Sequence, residues 1–296
     1  MALATNPVDI NRGTTGITLP SQLSQEIWAG AQEESAVMRL AQRIELPGSG
    51  ITIPVITGDP SADWVAETAE KPVSESTFGF KQMTPYKLAV IELFSNEFRR
   101  DLNALYAELV RRLPASIGKK FDETVFNGTA PGSNFNVLTG STAVAIGGTG
   151  TYGKLVTAAE TIATASDAEL TGWAISPQAE ALLLKATDGN DRPLFIPNAN
   201  DDRAINNLLG APVARSRRVY KAGTPNVIGF AGDWAQARYG IVDGINIAIS
   251  EEATINTGTE LVNTWQRNMF AVRVEAEMGF VVRNAAAFVK LTDAAS

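Results

Sequence analysis

The hydrophobic pattern is clearest between Pro85 and Gly128. Tyr86 to Phe94 is an apolar, β-prone run, which predicts a strand. Behind it, Leu102, Leu105, Tyr106, Leu109, Val110, Leu113, Ile117, Phe121 and Val125 recur at helical spacing, placing one apolar stripe along a long helix. Asp101 occupies the N-cap position, where its carboxylate can accept from unpaired backbone N–H groups, and Gly128 stands where such a helix ends. Pro114 removes one backbone hydrogen bond, yet the stripe keeps its phase across it, so the expectation is a single kinked helix. At about 1.5 Å per residue the rod is roughly 40 Å long, too long to bury in one small lobe.

Met1 to Gly16 is poor in apolar residues and reads as a flexible arm. Leu23, Ile27, Ala31, Val37 and Leu40 predict an amphipathic helix over Ser21 to Gln42, with Ser21 as N-cap after Pro20. Ile51 to Ile56 predicts a short strand, which Pro54 confines to an edge or a bulge. Little core pattern follows before Pro85. Phe78 and Phe80 alternate with Thr77, Gly79 and Lys81, so both rings leave the same side of a strand. This stretch reads as a two-armed hairpin projecting from the body, or else as a loop folded over its own core. Aromatic residues on a projecting arm, Trp64 among them, need a partner surface, which another copy of the chain can supply.

Beyond Gly128 the pattern gives a strand, a glycine loop and a helix within Ser141 to Ser166. A buried strand follows over Thr171 to Ser176, then a helix over Pro177 to Ala186 with proline at its first position. Asp188 to Asp202 reads as an exposed loop. LLGAPVARS, VIGFAGDWAQARYGIV and INIAIS give short strands, so Tyr152 to Ser250 looks like a separate α/β lobe. Near the end, Phe270, Val272, Val274 and Ala276 alternate with Ala271, Arg273 and Glu275, as in a half-buried strand. Gly279 reads as a turn, Phe280 to Arg283 as its continuation, and Ala287 to Leu291 as the last strand. The lobe around the long helix is therefore expected to come from the middle and end of the chain, with the other lobe inserted.

Composition narrows the function. The 296 residues fit about two lobes. No run of about 18 apolar residues occurs to span a bilayer, and no basic start with an apolar core marks a signal peptide. A net charge of −7 argues against gripping nucleic acid by bulk positive charge. The chain has no Cys and no His, which removes thiolate nucleophiles, His- and Cys-ligated metals, and the usual general base near neutral pH. An enzyme is not expected, and no cofactor is assigned. Gly148, Gly153 and Lys154 nearly match a phosphate-binding loop, but Leu155 stands where a hydroxyl should hold Mg²⁺, so a hinge feeding a helix is the better reading. Asp188, Asp191, Asp201 and Asp202 lack the spacing and glycine of a calcium loop and read as solvated carboxylates.

The layout resembles the major capsid proteins of tailed bacteriophages, the Hong Kong 97 fold. GITLPSQLSQEIWAGAQEESAVMRLAQRIEL is similar to that family's N-terminal arm and first helix. SADWVAETAEKPVSESTFGFKQMTPYKLAVIELFSNEF is similar to its extended loop, returning through a strand to the spine helix. LLGAPVARS and FAGDWAQARYGI resemble its axial domain, and RNMFAVRVEAEMGFVVRNAAAFVKL its terminal peripheral strands. The resemblance implies an α+β fold: arm and first helix over 1–46, extended hairpin loop over 47–86, peripheral domain with the spine helix over 87–138, inserted α/β axial domain over 139–255, and terminal peripheral strands over 256–296.

It also implies a structural function. Many copies would form pentamers and hexamers of an icosahedral head around double-stranded DNA, assembled in the host cytoplasm and residing in the virion, with scaffold, portal or decoration proteins as further partners and no membrane. Trp64, Val65, Glu67, Lys71, Phe78, Phe80 and Lys81 on the extended loop would lie over a neighbouring subunit. Arg111, Arg112, Lys119 and Lys120 are candidates to face the DNA, although a solvated helix face explains them equally well. Some members lose a long scaffolding segment; here a short arm follows Met1, so no such processing is expected. Some members link Lys to Asn; Lys71 and Lys81 lie in the right loop, but no acceptor Asn or assisting Glu matches, and no cross-link is assigned. The alternatives are an encapsulin-like compartment holding protein cargo, another self-assembling phage protein such as a tail or decoration subunit, and a nucleotide-binding protein using Gly148 to Lys154.

Overall fold

A computed structural model of the chain describes residues 17–18, 35–58, 60–65, 70–71, 73–96, 102–166, 168–188, 190–195, 205–242 and 246–293. In chain order the strands are β1 (Ile17–Thr18), β2 (Gln42–Glu45), β3 (Ile51–Gly58), β4 (Thr77–Met83), β5 (Tyr86–Ser95), β6 (Thr142–Ala145), β7 (Gly172–Ile175), β8 (Asn207–Leu208), β9 (Ala211–Arg215), β10 (Val227–Gly232), β11 (Ala237–Ile241), β12 (Asn246–Ser250), β13 (Thr254–Asn256), β14 (Leu261–Asn263), β15 (Met269–Val282) and β16 (Phe288–Thr292). The helices are α1 (Ala36–Leu40), α2 (Leu102–Asn127), α3 (Thr151–Ser166) and α4 (Pro177–Leu184).

Two six-stranded sheets carry the architecture. The first is built on β15, which pairs antiparallel with β5 from Met269↔Ser95 to Met278↔Tyr86 and also with β11 and β12; β2 joins parallel to β11, and β1 joins β12. Along β15 the alternation anticipated from sequence holds in part: Phe270, Val272, Val274 and Ala276 are buried and Arg273 is exposed, but Ala271 is buried too and Glu275 is half-buried. The second sheet runs β6-β16-β10-β7-β9-β8. Its strand β7 is buried along its whole length, as a run with apolar cover on both faces must be.

The long helix α2 is continuous across Pro114 and ends at Asn127, next to Gly128. Asp101 and the side chains of the first turns lie outside the described residues. Its last turns lock the two sheets together. Phe121 meets Phe135, Tyr239 and Phe280 of the first sheet's core at centroid distances of 6.1 to 6.3 Å. Phe126 stacks on Phe230 at 5.1 Å and meets Trp234 edge-on at 6.2 Å, beside the second sheet. Fully burying one such ring contributes roughly 1.5–3 kcal/mol. Between them, the buried carboxylate of Asp122 caps α1. It accepts from Ser35 Oγ at 2.6 Å, Ala36 N at 2.9 Å and Val37 N at 3.3 Å, supplying acceptors for N–H groups that a helix start leaves unpaired. Burial pushes the Asp122 carboxyl above its ordinary range, and its hydrogen bonds pull it part of the way back.

Three expectations change. The helix anticipated over Ser21 to Gln42 lies partly outside the described residues, and its described end stops at Leu40. Ala41 turns extended and Gln42 starts β2, because pairing with Arg238 to Ile241 of β11 takes up that backbone. Gly279 is not a turn: β15 passes straight through it, opposite Gly240. Sheet membership also cuts across the lobes drawn from sequence. β11 and β12 belong with β15, whereas β16 lies between β10 and β6 in the second sheet. Short strands carry the same local pattern whichever sheet they join, so the partner is settled by contacts distant in sequence.

Candidate assembly interface

The stretch before β5 is a hairpin. β3 and β4 pair only with each other among the described strands, from Ile51↔Met83 to Gly58↔Thr77. Pro54 therefore sits on an edge strand, opposite Phe80, where its missing N–H costs no ladder bond to a third strand. Met83 anchors the base of the hairpin: it is fully buried against Leu46 and Val281, with Ile44, Ile53 and Val242 around them. Farther out, Ser61 N donates to Ser74 Oγ at 2.8 Å, tying the two arms together.

Beyond Met83 the hairpin carries apolar side chains without cover. Trp64 is 106% exposed, Phe80 75% and Phe78 67%. Phe78 and Phe80 stand opposite Ile56 and Pro54, two residues apart on one strand, so both rings leave the same side. Val73, not singled out from sequence, is 91% exposed, and Val65 is also open. Lys71 is exposed and Lys81 half-buried, while Glu67 lies outside the described residues. Apolar residues gathered on one projecting element mark an interaction surface. Beside β5, a groove of about 270 Å³ is lined by Tyr86, Leu88, Phe121, Phe135 and Met278, with Lys120 and Glu123 among its polar neighbours.

The basic residues of α2 divide between surfaces. The Arg111 side chain lies outside the described residues, and Arg112, Lys119 and Lys120 are exposed. Lys120 reaches Glu123 at 3.5 Å. Lys119 opens instead onto a cleft of about 670 Å³ shared with Glu180, Arg215, Arg217 and Arg218. Those three arginines were not anticipated as site residues. Their signal is the run Ala-Arg-Ser-Arg-Arg at 214–218, three cations in four positions, but only the fold brings Lys119 to them.

The glycine loop closes on itself. The ammonium group of Lys154 donates to the Gly147 carbonyl, and Thr151 Oγ1 donates to the Gly148 carbonyl at 3.2 Å. Leu155, on the first turns of α3, is fully buried. Asp188 accepts from the backbone N–H groups of Asn190 and Arg192 and from Arg192 Nε at 3.1 Å, so it organises its own turn. Asp201 and Asp202 lie outside the described residues.

Residues 15–293 match the model of the phage capsid family. The chain is 31% identical over 293 residues to the "Probable major capsid protein gp17" of Mycobacterium phage D29, covering 94% of this chain and 91% of that protein. A solved chain from Gordonia phage Cozz superposes with a TM-score of 0.72 at 26% identity, covering 89% of this chain and 88% of that one. The capsid of an empty GTA particle superposes with a TM-score of 0.68 over 99% of this chain and 96% of that one, at 13% identity, which shows the fold alone. A match this long, on an α+β body with a projecting hairpin and one long helix locking two sheets, places the chain in the phage capsid family.

Proposed function

We infer that the chain is the major capsid protein of a tailed bacteriophage, a structural protein and not an enzyme, and that its copies associate into the shell of the virion. The observation that carries this is the hairpin: a two-stranded element anchored at one end by buried Met83 and bearing Trp64, Phe78 and Phe80 exposed along its length. Such an element is complete only when another surface covers it, and a neighbouring copy is always present in a shell. The finer reading has Trp64, Val65, Glu67, Lys71, Phe78, Phe80 and Lys81 over that neighbour. It has pentamers and hexamers enclosing double-stranded DNA, assembled in the host cytoplasm, with scaffold, portal or decoration proteins as accessory partners. In this reading the long helix and β15 form the peripheral domain, and the second sheet forms the axial domain.

Electron microscopy and sedimentation of the purified chain test the proposal: closed shells are expected, and a stable monomer at high concentration refutes it. Particles from virions should hold nuclease-protected duplex DNA. Protein cargo in its place would point to an encapsulin-like compartment. A nucleotide-binding role finds no support in a loop whose Lys154 is already engaged by Gly147.

A further inference from the structure

We propose that the cleft between α2 and the turn after β9 is a phosphate-binding site for the duplex nucleic acid inside the shell. This rests on the reading of the chain as a DNA container and names where the inner contact lies. The cleft gathers Lys119, Arg215, Arg217 and Arg218 around one carboxylate, Glu180. Four cations against one anion leave a local charge of +3 on a chain whose net charge is −7. Glu180 is engaged by Arg215 at 3.4 Å. No carboxylate among the described residues pairs with Lys119, Arg217 or Arg218.

The arginine turn is held from behind, so the backbone that carries its cations is fixed before any ligand arrives. Ser216 N donates to Ile175 O at 3.1 Å, and Ser216 Oγ accepts from Arg218 N at 3.3 Å. Asn127, at the end of α2, donates through Nδ2 to the carbonyls of Arg218 at 2.7 Å and Val219 at 2.9 Å. Val219 is fully buried, while the side chains of Arg217 and Arg218 face solvent. Guanidinium forks on a fixed backbone suit phosphate oxygens. A cleft that binds the backbone alone holds DNA without reading its sequence, as a container must.

The test measures binding of a short labelled DNA duplex to the full chain across a salt series. The comparison covers the wild type, Arg217→Ala with Arg218→Ala, and Arg217→Lys with Arg218→Lys. The alanine pair should weaken binding several-fold and lower the slope of log affinity against log salt by about one per lost phosphate contact; the lysine pair should keep the slope. Lys119→Ala, on a separate element, should lower the slope by about one even if the arginine pair disturbs the turn. Unchanged affinity and slope in all these variants overturn the site. So does loss of closed shells in the alanine pair with duplex binding intact, which would assign the cleft to an acidic segment of a protein neighbour. A wild type that forms no shells, with duplex binding still dependent on Arg217 and Arg218, would keep the site and sink the container reading.

Discussion

Gly240 and Gly279 stand opposite each other on β11 and β15, and the side chains they lack make the space that Met83 fills. A Cβ on Gly240 would lie 2.8 Å from Leu46 Cβ and 2.9 Å from Met83 Sδ, and one on Gly279 would lie 2.8 Å from Met83 Cγ. Real Cβ atoms do not tolerate such approach. The body of the subunit thus carries a notch shaped for the root of its own hairpin.

Gly279→Ala should therefore force Met83 out of place, at a cost of about 1–3 kcal/mol, the usual range for overpacking a well-filled core. Thermal melting of the unassembled chain should fall accordingly. Met83→Ala in the same chain should cost less than the sum of the two single changes, because the smaller side chain leaves room for the new methyl group. Strictly additive effects would show that the notch does not couple these residues.

Phe78→Ala with Phe80→Ala should leave circular dichroism and melting of the free subunit nearly unchanged, since both rings are exposed there. The same pair should reduce or abolish closed shells. If each ring is covered by a neighbour, it contributes about 2 kcal/mol per copy, from about 25 cal/mol per Å² of apolar area. Unfolding of the free subunit, with surviving protein still assembling, would place the rings in the subunit's own core.

Asp122 should leave a signature in pH. Its folded carboxyl holds a proton to higher pH than the ordinary value near 3.8, because it is buried. The folded state then binds more protons than the unfolded chain. This group's contribution to stability is fully present below that value and is lost as pH rises through the elevated folded one. Asp122→Asn removes the titration. Its amide can also accept at only one atom, so one of the donors from Ser35, Ala36 and Val37 loses its partner, at about 1–3 kcal/mol. Urea midpoints of the wild type should decline from about pH 3.8 upward more steeply than those of the variant; parallel curves would contradict the sign.

Lys154→Ala should lower stability by about 1 kcal/mol, the net value of one hydrogen bond, because Gly147 loses the donor that closes the loop. Calorimetry with ATP or GTP and Mg²⁺ should give no saturable heat with either protein. Micromolar binding lost in the variant would make the loop a nucleotide site after all.

The elements with a strong period of their own were legible in the sequence. Tyr86 to Phe94 is β5, the stripe ending at Val125 is the far half of α2, and the alternation through Phe270 to Ala276 is the first half of β15. Phe78 and Phe80 were legible as sharing one side of a strand, but not as an open face, because the same alternation suits a projecting arm and a loop folded over its own core. Gly279 misled because glycine usually interrupts a strand, and the approach of Met83 and Leu46, each about two hundred positions away, is what requires a glycine there. Asp122 looked like one more polar residue on a helix; its role depends on Ser35 and Ala36, which no local spacing connects to it. Lys119 and Arg217 share a cleft for the same kind of reason: two segments far apart in the chain meet only through the fold.

Phe121 and Phe126 sit close together at one end of α2, one wedged at each sheet. A close-packed interior transmits displacement instead of absorbing it, so tilting one sheet must drag the other. The body behaves as a single plate. In any closed shell, plates at positions of different curvature must still join edge to edge. The give then belongs to the member outside the plate: a ribbon of two strands that, among the described strands, pair only with each other, rooted at Met83. Stiff tile and pliable strap are thus built from one chain, and the strap is where a change of shell size would first be felt.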